Sequence, residues 1–394
     1  MRQSTGGCNY LCRGARATTA LLLTMNTLNR TLLSLLVFFA GFGACAQEAL
    51  LRPGFDPREY RDLLAINFNS YDSMQRVAGE PVRYRRTYSS RVTGLDNRWY
   101  LWQRTDAPVA VLSVRGTVAT KWSWLANLYS VMQPAAGTLR LDDSTQIDYR
   151  LAASEGAAVH TGWLIALASM SGDIERKIRQ LYDNGTRAIY ITGHSQGGVL
   201  AALLRSWIYY RTQQGALPAG MLYKTYSSAG PKPGNLQFAY DYDFINRGGW
   251  AFNVVNAADW VPETPLSIQQ IRDLNALNPL ADVSGALRRQ PLPVRIYGNM
   301  VYNKLSRKGR KAVKKYQKYL GGRVGKEVRK KFPGLRLPGA TPGLDYMRAG
   351  AAVVLMPDSS YSRRFPSDTS GPGVWKHHTF DAYLTLLRKD YLNP

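Results

Sequence analysis

The 394-residue chain predicts an α/β fold: a mostly parallel central sheet with helices on both faces and a basic helical insertion before the last strand. Three observations lead there. Residues 109–114 (VAVLSV) form a nearly continuous β-type apolar run, as expected of a strand covered on both sides. From there to the C-terminus, strand-like and helix-like segments alternate, the pattern of parallel strands joined by crossover helices. Finally, the apolar run 188–192 passes through Gly193-His194-Ser195-Gln196-Gly197 directly into an amphipathic helical run starting at Val199. This strand–turn–helix context holds a serine at a sharp bend, and the flanking glycines leave room for it.

Each element follows from local pattern. Residues 50–79 read as helix and loop, and 82–104 as two strands around Gly94-Leu95-Asp96-Asn97. The strand 109–114 ends at Arg115-Gly116-Thr117. From Ser171, read as an N-cap, Ile174, Ile178 and Leu181 recur at helical spacing until Asn184-Gly185. Beyond Ser195, the residues Leu200, Leu203, Leu204, Trp207 and Ile208 mark one helix face, with Gly215 as its stop. Strands are expected at 221–227 and 251–256 with a helix over 235–244 between them, and a last strand at 349–356. Phe380, Tyr383, Leu384 and Leu387 define a C-terminal helix behind an N-cap at Thr379. No internal repeat is present.

The N-terminus reads differently. Whether initiation is at Met1 or at Met25, a short basic segment ending at Arg30 precedes an apolar run of about a dozen residues, short of the roughly 20 that span a bilayer. Ala44-Cys45-Ala46 follows, so residues 1–46 read as an export signal, leaving one domain over 47–394. Phe42-Gly43-Ala44-Cys45 also resembles a lipoprotein box in which Cys45 would carry the lipid. The expected location is therefore secreted, periplasmic or membrane-anchored. Cysteines occur only at positions 8, 12 and 45, so the domain has no internal disulfide and relies on packing.

The net charge of +24 falls to +20 on removal of residues 1–46, which hold four arginines and no acid. Between Lys304 and Arg336 stand 14 Lys or Arg against the single acid Glu327. So local a patch needs a local explanation. It lies within the helical insertion, about residues 285–340, where Val313, Tyr316 and Leu320 share one side and Lys311, Lys314, Lys315 and Lys318 surround it. Cationic side chains next to an interfacial tyrosine are expected to attract an anionic membrane surface at about 1 kcal/mol per charge. The plainer reading is a solvated basic face. Nucleic acid is not the expected partner, because an export signal is present and no nucleic-acid-binding motif is.

A serine hydroxyl becomes a nucleophile only with a base in hydrogen-bond reach and a carboxylate to orient that base. The histidines are His160, His194, His377 and His378. His194 precedes the serine on the bend and should point away from it. His160 comes before Ser195, whereas a serine site of this kind runs Ser, acid, His along the chain. His377 and His378 remain, both just ahead of a helix N-terminus that disfavours imidazolium, and His378 is preferred. For the acid, Asp259 lies just past the strand 251–256, at the carboxyl end where catalytic loops of parallel sheets gather. Asp241, Asp243 and Glu263 are its rivals.

Six segments occur in the order seen in class 3 lipases, the fungal-lipase-like α/β-hydrolases: Val114-Arg115-Gly116-Thr117, Val159-His160-Thr161-Gly162-Trp163, the Ser195 bend, Gly230-Pro231-Lys232-Pro233-Gly234-Asn235, residues 255–262 and His378 with Tyr383. The chain resembles that family over roughly residues 80–390. The resemblance implies an α/β-hydrolase fold, Ser195 as nucleophile, Asp259 as acid, His378 as base, and Thr117 and Gln196 as the oxyanion hole. It also implies a structural His160. It departs from the family in having Gln196 where many relatives have Leu, and in the 119 residues separating Asp259 from His378. Trp122, Trp124, Leu125 and Leu128 form an apolar stripe after Thr117, either a lid over the site or a core-facing helix.

The expected activity is hydrolysis of lipid esters by an exported serine hydrolase, without metal or cofactor. A phospholipase, a short-chain esterase, and a catalytically silent surface-binding protein are the alternatives.

Overall fold

The computed structural model describes residues 50–70, 83–275, 277, 283–368 and 370–392. The expected export segment lies outside them. Leu50–Pro394 forms one compact unit.

Eleven strands are present among the described residues. Seven of them make the central sheet, in the order β1 (Tyr84–Ser89), β2 (Trp99–Arg104), β3 (Val109–Val114), β8 (Ala188–His194), β9 (Leu222–Ser228), β10 (Ala251–Asn256), β11 (Ala351–Leu355). The first two pairings are antiparallel and all those from β3 onward are parallel. The short strands β4 (Met132–Pro134) and β7 (Ala158–His160) pair with each other, as do β5 (Ala136–Arg140) and β6 (Gln146–Arg150).

Alternation along the central strands divides two cores. Ala110, Leu112 and Val114 of β3, with Ile189 and Ile191 of β8, pack toward α3 (Thr161–Asp183) and α4 (Gln196–Gln213). Val109, Val111, Ala188 and Tyr190 face α1 (Pro57–Asn69) and α10 (Phe380–Leu387). Each fully buried aliphatic side chain here stabilises the fold by about 1.5–3 kcal/mol. The remaining helices are α2 (Lys121–Leu128), α5 (Leu236–Ile245), α6 (Val283–Arg288), α7 (Leu292–Tyr316), α8 (Val324–Lys331) and α9 (Ser359–Arg364).

One helix start differs from expectation. Helix α3 begins at Thr161, ten residues before Ser171, with His160 as N-cap accepting from the Trp163 N–H at 3.4 Å. Its first turns, including Gly162 and Ala166, are buried on all sides, so no polar face marks them and the amphipathic signal appears only after Ser171.

The basic insertion is a long helical run, α7 continuing through a π-helical turn at Gln317–Arg323 into α8. Val313 is buried against Met132, Ala158, Leu344 and Tyr346, with Tyr316 beside them. Tyr316 therefore turns inward, its hydroxyl 3.0 Å from Ser130 Oγ, and is not the lipid-facing tyrosine the pattern suggested. Lys311, Lys314, Lys315 and Lys318 are all exposed.

Candidate active site

The bend between β8 and α4 places Ser195 at φ 62°, ψ −129°. The strain is imposed by its neighbours: a Cβ on Gly193 would overlap the Gly197 backbone, and one on Gly197 would overlap the Val114 carbonyl. Because Val114 pairs with Gly193, the loop carrying Thr117 lies beside the bend. Both loops open into one cavity of about 600 Å³, whose wall includes Thr117, Ser195, Gln196 and His378. The wall is predominantly apolar, with Phe68, Trp124, Leu128, Trp260, Leu266 and Trp375 among its members. Tyr316 and Leu320 of the insertion also line it, a contribution that sequence spacing assigned to an outer surface.

Three residues past β10, Asp259 is 3% exposed. Its Oδ2 stands 2.6 Å from His378 Nδ1 and accepts from the Tyr383 hydroxyl at 2.8 Å, while Oδ1 accepts from the Val261 N–H at 3.0 Å. Burial by itself would raise this carboxyl, but the hydrogen bond and charge of His378, with the other two donors, hold it below its ordinary value. An Nδ1–H donated to Asp259 leaves Nε2 of His378 as the acceptor.

The other histidines sort themselves by contact. His377 places Nδ1 2.9 Å from the Tyr361 hydroxyl, outside the cavity wall, and burial lowers its pKa. His194 lies 3.0 Å from Ser228 Oγ and 3.0 Å from the His378 carbonyl, so it supports the loop that carries His378. Burial pushes both His194 and His160 down to about 3, keeping them neutral. His160 Nε2 meets the Asn127 carbonyl at 3.0 Å, a structural role. Of the rival acids, Asp241 is bound by the Ala153 N–H and the Tyr210 hydroxyl, and Asp243 by the Gly350 N–H. Among the described residues neither they nor Glu263 bonds a histidine, as Asp259 does.

Helix α2 splits the two readings of its stripe. Leu125 packs into the core, whereas Trp124 and Leu128 are 42% and 46% exposed and overhang the cavity. Asn127, which no motif signals, bonds both Thr117 Oγ1 at 3.0 Å and the Gln196 side chain at 2.7 Å.

A second cavity, about 1000 Å³, is lined by Trp99, Asp173, Glu175, Arg176 and Arg211. Its Arg176–Asp173 and Arg211–Glu175 pairs neutralise one another and offer no nucleophile–base grouping. Among the described residues no group of three or more His, Cys, Asp or Glu is placed to hold a metal ion.

The sheet order, the Ser195 bend and the histidine–aspartate pair beside it are those of an α/β-hydrolase fold. Within that class, residues 111–268 match the family model for class 3 lipases. A secreted mono- and diacylglycerol lipase of Malassezia restricta is 28% identical over 109 residues, 27% of this chain and 34% of that protein. The chain thus spans about a third of the length of the curated relatives it matches. Among solved structures, Rhizomucor miehei triacylglyceride lipase is 18% identical with a TM-score of 0.39, covering 54% of this chain and 77% of that one. Lipase II from Rhizopus niveus is 20% identical with a TM-score of 0.38, covering 53% and 74%.

Proposed function

We propose that this chain is an exported serine ester hydrolase acting on lipid esters. Ser195 Oγ attacks the ester carbonyl as His378 Nε2 takes its proton, and Asp259 orients the imidazole and stabilises the imidazolium. The backbone N–H groups of Thr117 and Gln196 receive the negative oxygen of the tetrahedral intermediate; Gln196 opens α4, so no helical carbonyl claims its N–H. His378 returns the proton to the departing alcohol, leaving an acyl-serine that water hydrolyses by the same steps in reverse roles.

The observation that carries this reading is the 2.6 Å His378–Asp259 bond at the edge of an apolar cavity into which the strained Ser195 also opens. The apolar wall supports a lipid acyl group, and the class 3 lipase match supports ester chemistry. The test is fluorophosphonate labelling: one adduct on Ser195, absent in Ser195→Ala. No adduct on the wild type points instead to a silent surface-binding protein. A panel of p-nitrophenyl esters of rising chain length, with diacylglycerol and phospholipid, then separates lipase from short-chain esterase and phospholipase.

Export rests on residues 1–46 and on the secreted relative; no described helix is long and apolar enough to cross a membrane. The basic insertion is assigned to an anionic membrane surface. Ile296, Tyr297 and Met300 of α7 are each more than half exposed, and they supply the apolar contact that Tyr316 does not. Stronger co-sedimentation with anionic than with neutral vesicles, weakened by salt, is expected; equal binding to both refutes this part.

A further inference from the structure

We propose that Gln196 and Asn127 form a fixed clamp that presets both halves of the oxyanion hole, so that this chain hydrolyses dispersed esters with no movement of α2. This rests on the ester-hydrolase reading above and deepens it. Every polar atom of the two side-chain amides is engaged. Asn127 Nδ2 donates to Thr117 Oγ1 at 3.0 Å, and its Oδ1 accepts from Gln196 Nε2 at 2.7 Å and Trp163 Nε1 at 3.0 Å. Gln196 Nε2 also donates to the Ser123 carbonyl at 3.2 Å, and Oε1 accepts from Asn97 Nδ2 at 3.4 Å. His160 Nδ1 accepts from the Trp163 N–H, which fixes its proton on Nε2 as a donor to the Asn127 carbonyl.

Helix α2 is therefore tied from within to the first residue of α4 and to the start of α3. Its backbone also presses on α3 so closely that a Cβ on Gly162 would overlap the Ala126 carbonyl. Gln196 is 2% exposed, so lifting α2 would strand a buried amide without its partners. A leucine at position 196 would form none of these bonds. The exposed Trp124 and Leu128 thus form a stationary rim of the cavity, and the two residues that position the oxyanion donors are Asn127, between them, and Gln196, through its side chain.

The experiment follows initial rates on a p-nitrophenyl ester carried through its solubility limit. A single hyperbola is expected for the wild type, and a rate step where aggregates form overturns the proposal. Gln196→Leu, which preserves size, and Asn127→Ala are then measured alongside, with melting temperature as a folding check. Each is expected to lower kcat tenfold or more with KM within twofold, and to weaken an alkyl boronic acid inhibitor, which places an oxygen in the hole, by the same factor. Asn127→Asp keeps the acceptor for Gln196 and Trp163 but loses the donor to Thr117, and is expected to fall between. Folded variants with kcat within twofold of wild type overturn the clamp while leaving the hydrolase reading intact. A wild type that neither labels at Ser195 nor turns over ester removes that reading, and the clamp with it.

Discussion

Removing the Tyr383 hydroxyl separates what holds Asp259 in place from what Asp259 does. The hydroxyl donates at 2.8 Å to the carboxylate oxygen that also meets His378, in a site where Tyr383 is fully buried. A hydrogen bond to a buried charge contributes about 1.5–3 kcal/mol, so Tyr383→Phe should destabilise by that amount at neutral pH. At roughly 2 °C per kcal/mol for a domain of this size, Tm should drop by about 3–6 °C. The carboxyl of Asp259 lies below its ordinary value in the folded chain, so the stability it contributes is present above the unfolded pKa of about 3.9 and is lost as pH falls through the folded value. The penalty of Tyr383→Phe should shrink over that same acid range. Because His378 and the Val261 N–H still bind Asp259, kcat at neutral pH should stay within about fivefold, whereas Asp259→Asn, which reverses the tautomer, should cost on the order of 10⁴. Thermal unfolding against pH, paired with steady-state rates, reads both quantities. A loss below about 0.5 kcal/mol, or a kcat defect as large as that of Asp259→Asn, would refute the argument.

Three further outcomes are expected. His160 and His194, held down to about 3 by burial, bind no proton in the folded chain where the unfolded chain does, so stability rises with pH between about 3 and 6.5. Urea unfolding should show a slope approaching about 1.4 kcal/mol per pH unit for each, and a flat profile there contradicts their neutrality. Lys224, 1% exposed, meets Glu59 at 2.6 Å, with the Tyr190 and Tyr226 hydroxyls on the same carboxylate. Lys224→Ala should cost about 3–5 kcal/mol in denaturant unfolding, and Glu59→Gln with Lys224→Met should recover most of it. Gly197→Ala drives a methyl into the Val114 carbonyl and should abolish soluble expression, while Gly172→Ala, exposed within α3 with open space around it, should stabilise by about 0.5–1 kcal/mol.

Local chemistry explains which features were legible before the fold was known. The Ser195 bend declares itself because a strained turn demands small neighbours, and Asn184-Gly185 and Gly215 stop helices where the backbone needs positive φ, at 85° and 72° for the two glycines. The Thr379 N-cap and the edges of β3, β9 and β10 are likewise short-range matters. The N-terminal half of α3 escaped notice because burial on every side erases periodicity.

The order of residues determined by itself that a serine stands on a strand–helix bend, that an acid follows a later strand, and that two histidines precede the final helix, since each depends on the nearest few neighbours. Only the tertiary structure gives Tyr361 to His377 and Asp259 to His378, the pairing on which the proposed choice of His378 as base rests. It likewise turned Tyr316 inward and joined Asn127 to Gln196, 69 positions apart. Such choices depend on which side chains meet across the sheet and which polar atoms must find partners once water is excluded, and no window along the chain contains that information.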